Sequence, residues 1–175
     1  MEIIGVRTGK KYDEWWAHNL EYMLHRDVTF IDKEEFGGVY DKLQMFREFK
    51  TGEYLYFDLD VIIKGPIDHL LREDFTLLRA WWRPALHTPL NSSIMSWKGD
   101  QSHIYEKFAE DPDLYMVKYW KGIDEYIYRE IEHKTYGQVC WSYNWDQREL
   151  DYPVCLFNQT HNQMKIEPWT QKYLL

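Results

Sequence analysis

Residues 54–71 read YLYFDLDVIIKGPIDHLL. The stretch opens as a buried β-strand, with apolar or aromatic residues from Tyr54 to Phe57. It then sets two aspartates, Asp58 and Asp60, one residue apart among apolar neighbours. Side chains at i and i+2 of an extended chain point to the same side, so the two carboxylates crowd each other. They repel unless a cation or hydrogen-bond donors stand between them. A hard divalent cation suits such a pair. Oxygen ligands favour Mg2+ or Mn2+, and Mg2+ takes one or two carboxylates and leaves its other positions to water and substrate phosphates. The chemical reading is a metal–diphosphate site at the end of the strand. The plainer reading is a strand running out into solvent, and a D-x-D alone is a weak sign.

Upstream of this stretch the pattern is regular. EIIGVR (2–7) reads as a short buried strand, and Tyr12 to Arg26 carries apolar residues at helical spacing. Val28–Asp32 is a second strand, Gly37-Gly38 marks a loop, Tyr40–Phe49 is helical, and Tyr54–Asp60 is the third strand. Strand–helix–strand–helix–strand is the signature of an α/β fold with a parallel sheet. Ligands of open α/β sheets bind beyond the carboxyl ends of the strands, where Asp58 and Asp60 fall. Downstream the pattern loosens. A Gly65-Pro66 turn leads to a short helix ending at Leu71, and Phe75–Trp82 and Asn91–Trp97 read as strands. Ser102–Ala109 and Ile123–His133 read as helices, and QVCWSY (138–143) and YPVCLFN (152–158) as late strands. With no linker or repeat, residues 1–175 are expected to form one domain, with a mixed, partly antiparallel back.

Composition narrows the classes. Hydrophobic content of 45% with 29% charged residues is that of a globular protein and not of a disordered one. Aromatic residues make up 18% of the chain, which fits a core of large rings and also carbohydrate recognition. A net charge of −8 argues against nucleic acid as a partner, although a metal can bridge an acidic site to a phosphorylated ligand. Cys140 and Cys155 form no CxxC motif or disulfide framework and read as buried thiols of a reducing compartment. No apolar run approaches transmembrane length, and Met1 leads directly into EIIGV. The expected location is cytoplasmic.

The order of the motifs resembles the GT-A glycosyltransferases, most closely the glycogenin-like family 8 and its short bacterial and viral relatives. The D-x-D strand is followed by a second apolar run (Val61–Ile63), a Gly turn (Gly65) and Ile67-Asp68-His69-Leu70. TGKKY (8–12) looks like the nucleotide-entry loop, YDKLQMF (40–46) like the segment before D-x-D, and LNSSIMSW (90–97) like the strand lining the donor sugar. GIDEYI (122–127) and HNQMKIEPW (161–169) resemble the later helix start and the terminal motif. The chain departs from the pattern at Met164 and Glu167, at Ser93 where a Gly is usual, and at Asp124-Glu125.

The resemblance implies a Rossmann-like nucleotide-sugar-binding fold with a mostly parallel sheet and a small antiparallel part. It implies a metal-dependent transfer, with retention, from a nucleoside-diphosphate sugar (UDP-linked) to a glycan, lipid or protein acceptor. Asp58, Asp60 and His161 would hold Mn2+ or Mg2+. Thr8, Tyr12, Lys42, Asp58, Asn91 and Ser92 would bind the nucleotide sugar, and Asp124 and Lys165 would serve catalysis. Another register of the C-terminal segment puts Asn158 at the third ligand position. Each role has a plainer competitor: Asp124 as a helix N-cap, Lys42 and Lys165 as solvated lysines, His161 as a loop histidine, and Trp81, Trp82 and Trp97 as core rings in place of a groove floor. The rival enzyme is a haloacid-dehalogenase-type phosphatase using the Asp58-x-Asp60 pair, with Asp58 as nucleophile. The non-enzymatic rival is a catalytically degenerate sugar-binding relative.

Overall fold

The structure is a computed structural model that describes residues 1–86 and 88–175. The chain runs through β1 (Glu2–Val6), α1 (Glu14–Leu24), β2 (Thr29–Ile31), a 3₁₀ segment (Gly38–Leu43), α2 (Gln44–Glu48), β3 (Glu53–Phe57) and β4 (Val61–Ile63). A second 3₁₀ turn (Asp68–Leu70), β5 (Thr76–Arg79), β6 (Leu90–Lys98), α3 (His103–Ala109), α4 (Pro112–Lys118) and α5 (Ile123–Glu130) follow. The chain closes with β7 (Lys134–Thr135), β8 (Cys140–Ser142), β9 (Val154–Leu156) and α6 (His161–Met164).

Two sheets result, in the orders β2-β1-β3-β6-β5-β7 and β4-β9-β8. In the larger one β1 pairs parallel with β2 and β3, and β5 parallel with β7, while β6 runs antiparallel to both its neighbours. This is the expected mostly parallel sheet with an antiparallel part. The chain goes from β1 outward to β2 and then returns across β1 to β3. The reversal of direction leaves a crevice at the carboxyl ends of β1 and β3.

Both faces of the large sheet are covered. On β3, Leu55 and Phe57 pack with α1 and the small sheet, and Tyr54 and Tyr56 with α2, α3 and α5. A strand buried on both sides carries no polar alternation, which is why residues 54–57 read as one apolar run. Trp97 is fully buried against Phe46 (ring centroids 4.9 Å apart) and Tyr54 (5.3 Å), so it is a core ring and not part of a groove. Cys140 and Cys155 are buried free thiols, as expected.

Local chemistry sets the element ends. Asp13 accepts the Trp15 N–H at 3.1 Å and caps α1, and left-handed His25 (φ 52°) terminates it. The helix therefore starts after Tyr12, which is left outside it. The helix expected from Tyr40 instead begins as the 3₁₀ segment. Asp41 Oδ1 accepts the N–H groups of Glu35, Phe36 and Gly37, each at 2.9 Å, and ties down the incoming loop. Gly37 and Gly38, at φ 89° and 58°, supply the left-handed backbone this needs. The third strand ends at Phe57 and not at Asp60, because the chain changes pairing partner there. α4 has no buried residue and so offers no apolar stripe to read, and β7 is two residues long. Among the described residues, no helix is long and apolar enough to cross a membrane.

Glu130, at the end of α5, ties three elements together. It pairs with Lys107 at 2.8 Å and Lys118 at 3.1 Å and accepts the Tyr119 hydroxyl. Hydrogen bonds from Lys107 and Tyr119 hold its carboxyl down at about 2, against an ordinary 4.5. A depressed folded-state pKa gives stability that is present above pH 4.5 and lost as the pH falls towards 2. Because both lysines are half-exposed, Glu130→Gln is expected to cost about 1 kcal/mol at pH 7. The difference from wild type should vanish near pH 2 in urea titrations across that range.

Candidate functional site

The site is built where the two sheets meet. The Asp58 N–H donates to the Ser93 carbonyl at 2.9 Å, one step beyond the last β3–β6 pair. The Phe157 N–H donates to the Asp60 carbonyl at 2.8 Å, one step before the first β4–β9 pair. Asp58 is thus the last rung of one ladder and Asp60 the first of the other, with Leu59 packed into the core between them. The two carboxylates line one cleft of about 380 Å³.

Thr8, Tyr12, Lys42, Asn91, Ser92 and Asp124 line the same cleft, together with Asp58 and Asp60. The Lys42 ammonium lies 2.6 Å from Asp58 Oδ1 and 3.3 Å from the Ser92 hydroxyl. Tyr56 donates its hydroxyl to Asp58 Oδ1, from two residues back on the same face of the strand. Burial pushes the Asp58 carboxyl up, but the Lys42 charge and hydrogen bonds from Lys42, Tyr56 and Ser93 outweigh it, and the net shift is downward. Asp60, 2% exposed, accepts the Tyr12 hydroxyl at 2.6 Å and has Lys11 at 3.7 Å. Burial and the neighbouring Asp58 charge raise its pKa despite these partners. Tyr12 is therefore held edge-on to Trp16 and bonded to Asp60, not laid open as a stacking platform.

Asp124, also in the lining, accepts the Ser92 N–H at 3.0 Å and faces Arg83 at 3.9 Å. Burial raises its pKa, against the charge of Lys42 and the Ser92 hydrogen bond. The residue that caps α5 is Gly122, at φ 121°, so Asp124 spends its carboxylate across the cleft and not on its own helix. Asn91 donates to Asn158 Oδ1 at 3.2 Å, and Asn158 Nδ2 lies 3.0 Å from Ser93 Oγ and 3.5 Å from Asp58 Oδ2.

His161 and Lys165 are brought near but not into the lining. His161 sits edge-on to Tyr12 and Trp16, with Nδ1 buried and unpartnered among the described residues. Burial and the Lys11 charge lower its pKa. Lys165 lies 4.1 Å over the Trp15 ring and 4.7 Å over Trp16. Trp169 stacks on Trp141 at 5.7 Å and anchors the C-terminal return against the small sheet. The side chain that this segment puts against the aspartate pair is Asn158. Lys11, Arg83, Ser93, Lys121 and Gly122 also line the cleft and were not assigned from sequence. Lys11 lay inside the quoted TGKKY loop, and Ser93 was visible as the departure from Gly. Arg83, after two tryptophans, carried no signal.

A divalent cation fits this donor set. Two hard carboxylates share the cleft, and the Asp58 charge is one of the causes raising Asp60, a strain that a cation would relieve. Among the described residues no three of His, Cys, Asp and Glu are grouped to hold one ion, so the rest of a coordination shell would come from ligand and water.

In shape the chain is similar to a glycosyltransferase involved in the glycosylation of the major capsid of PBCV-1, with TM-score 0.64 at 12% identity over 95% of this chain and 100% of that one. It is also similar to apo-form glycosyltransferase GlyE of Streptococcus pneumoniae TIGR4 (TM-score 0.63, 10% identity, 89% of this chain and 54% of that one). A third is galactosyltransferase LgtC in complex with donor and acceptor sugar analogs (TM-score 0.57, 10% identity, 89% and 86%). No family model matches the chain, and no curated protein matches its sequence. The fold is that of the GT-A glycosyltransferases, and the haloacid-dehalogenase alternative finds no support in it.

The Lys42–Asp58 pair is mostly shielded from water, with side chains 12% and 15% exposed. Removing one partner of such a pair strands the other charge, so Lys42→Met is expected to cost about 3 kcal/mol at pH 7. The Asp58 pKa is depressed in the folded state, so this contribution exists above the ordinary carboxylate range and is lost as the pH falls. Chemical denaturation should show the gap between variant and wild type closing in acid. A pH-independent gap would mean that Lys42 acts by packing alone.

Proposed function

We propose that the protein is a glycosyltransferase that moves a sugar from a nucleoside-diphosphate sugar, UDP-linked, to an acceptor hydroxyl, using Mn2+ or Mg2+ and retaining the anomeric configuration. The observation that carries the reading is the Asp58-Leu59-Asp60 hinge. It presents two carboxylates to a cleft also lined by Asn91, Ser92 and Asp124, in a chain of GT-A fold. The LgtC neighbour, described in complex with donor and acceptor sugar analogs, supports a sugar donor.

In this scheme Asp58 and Asp60 hold the cation, and Tyr12 and Lys42 hold the carboxylates in place. A bound cation would supply charge stabilisation to the departing diphosphate as a Lewis acid. Lys11 and Lys42, on the same wall, add positive charge where the diphosphate gains negative charge. The amides of Asn91 and Asn158 and the Ser92 hydroxyl orient the sugar. Asp124, held by the Ser92 N–H, would lie beside the sugar. The acceptor oxygen bonds to the sugar carbon at which substitution occurs, on the face the diphosphate leaves, its proton passes to a diphosphate oxygen, and the diphosphate departs with the bonding electron pair.

The test is release of UDP from UDP-sugars with and without Mn2+. Wild type should turn over only with the metal, and Asp60→Asn, which keeps the shape and removes the charge, should lower the rate at least about a hundredfold. Metal-independent turnover equal in both proteins would remove Asp60 from the mechanism. Metal-dependent binding of UDP-sugars without release or transfer would favour the non-catalytic sugar-binding relative.

A further inference from the structure

A second pocket, of about 330 Å³, opens off the cleft and shares its Asn91 and Asn158 wall. Its remaining sides include Trp82, Ser142, Asn144 and Trp145. The pocket borders the cleft at Asn91 and Asn158, the amides that the proposed function gives to the donor sugar. We propose that it is the acceptor subsite and that the acceptor it takes is a saccharide, seated with a ring face on Trp145. The proposal rests on the glycosyl-transfer reading of the cleft and adds the acceptor class.

Trp145 is 52% exposed, unusual for a ring that could have joined the dense aromatic core beside it. It is nonetheless fixed. Its backbone N–H donates to the Ser142 carbonyl at 3.0 Å, and its ring meets Trp81 edge-on at 5.0 Å. Trp81 is itself held by a hydrogen bond from Nε1 to the Cys140 carbonyl at 3.1 Å. A braced, half-exposed ring binds without losing side-chain freedom.

The surrounding chemistry is neutral and amide-rich. Asn144 donates to the Asn158 carbonyl at 2.7 Å, which joins the Trp145 turn to the residue that touches Asp58. Arg83, the charged side chain of this pocket, is turned to the Leu90 carbonyl at 2.9 Å and to Asp124. An apolar ring face flanked by amides and a hydroxyl matches a ligand with C–H faces and a rim of hydroxyls. A charged peptide would find no counter-charge here beyond an arginine already engaged. The volume is in the small-ligand range of roughly 300–1,000 Å³, suited to a sugar and not to an extended chain. Asn91 and Asn158 border both pockets, so an acceptor hydroxyl bound here is one side chain away from the donor sugar.

The experiment titrates lactose, maltose, cellobiose and chitobiose into protein held with UDP and Mn2+, while the Trp145 indole N–H signal is followed by NMR and assigned with Trp145→Phe. At least one saccharide should shift that signal. For the saccharide that also accepts, Trp145→Ala should raise the acceptor KM roughly tenfold with a smaller change in kcat, and Trp145→Phe should recover most of the loss. UDP affinity by calorimetry reports that each variant is folded. If no saccharide moves the Trp145 signal, or if Trp145→Ala leaves the acceptor KM unchanged, the subsite is wrong. Transfer only to glycolipid in vesicles, unaffected by Trp145→Ala, would also overturn it. A saccharide-dependent shift without any transfer would keep the subsite and overturn the transferase reading instead.

Discussion

The change of pairing partner at Asp58-Leu59-Asp60 is the constraint on which the rest of the site depends. Two backbone hydrogen bonds set it, from Asp58 N–H to Ser93 and from Phe157 N–H to Asp60, each belonging to a different sheet. Leu59 cannot leave the core without exposing apolar surface, so the flanking carboxylates are held at the sheet junction whether or not a ligand is present. The same two bonds bring Ser93 and Asn158 beside the aspartates. Asp58, Asp60 and Ser93 are thus fixed by ladder hydrogen bonds, while Lys11, Tyr12 and Asn158 come from the turns beside them.

Charge is balanced across the cleft by unequal partners. Asp58 has an ammonium and a phenol, and its carboxyl is driven down; Asp60 has a phenol and a more distant ammonium, and burial drives it up. The two carboxylates thus carry opposite shifts at one mouth. Asp124 is also raised by burial and is held by the Ser92 backbone and faced by Arg83.

The aromatic richness divides between two jobs. Trp97, Trp141, Tyr56, Tyr126, Phe46 and Phe57 are fully buried and give a modest chain a dense core on both faces of its sheet. Tyr12, Tyr56 and Tyr136 also use their hydroxyls, on Asp60, Asp58 and the Leu70 carbonyl. Trp145 does neither, standing half-exposed beside the cleft and braced by the core ring next to it.

What the sequence determined by itself is what local patterning can carry: the β-α-β-α-β opening, the two-sided burial of residues 54–57, and the aspartates beyond a strand end. Those follow from period-2 and period-3.6 spacing and from a carboxylate pair in apolar company. The ordered motifs were also enough to point to Asn91, Ser92, Lys42 and Asp124 as one group. The tertiary structure alone decided that the third strand stops at Phe57, because the competing partner, β9, lies a hundred residues away in the chain. It decided that Asn158 touches Asp58 while His161 lies against Tyr12 and Trp16. The backbone bond from Phe157 to Asp60 is what brings Asn158 there. It also decided that Trp97 is core and Trp145 is surface, since a tryptophan's exposure is set by what packs over it and not by its neighbours in the chain.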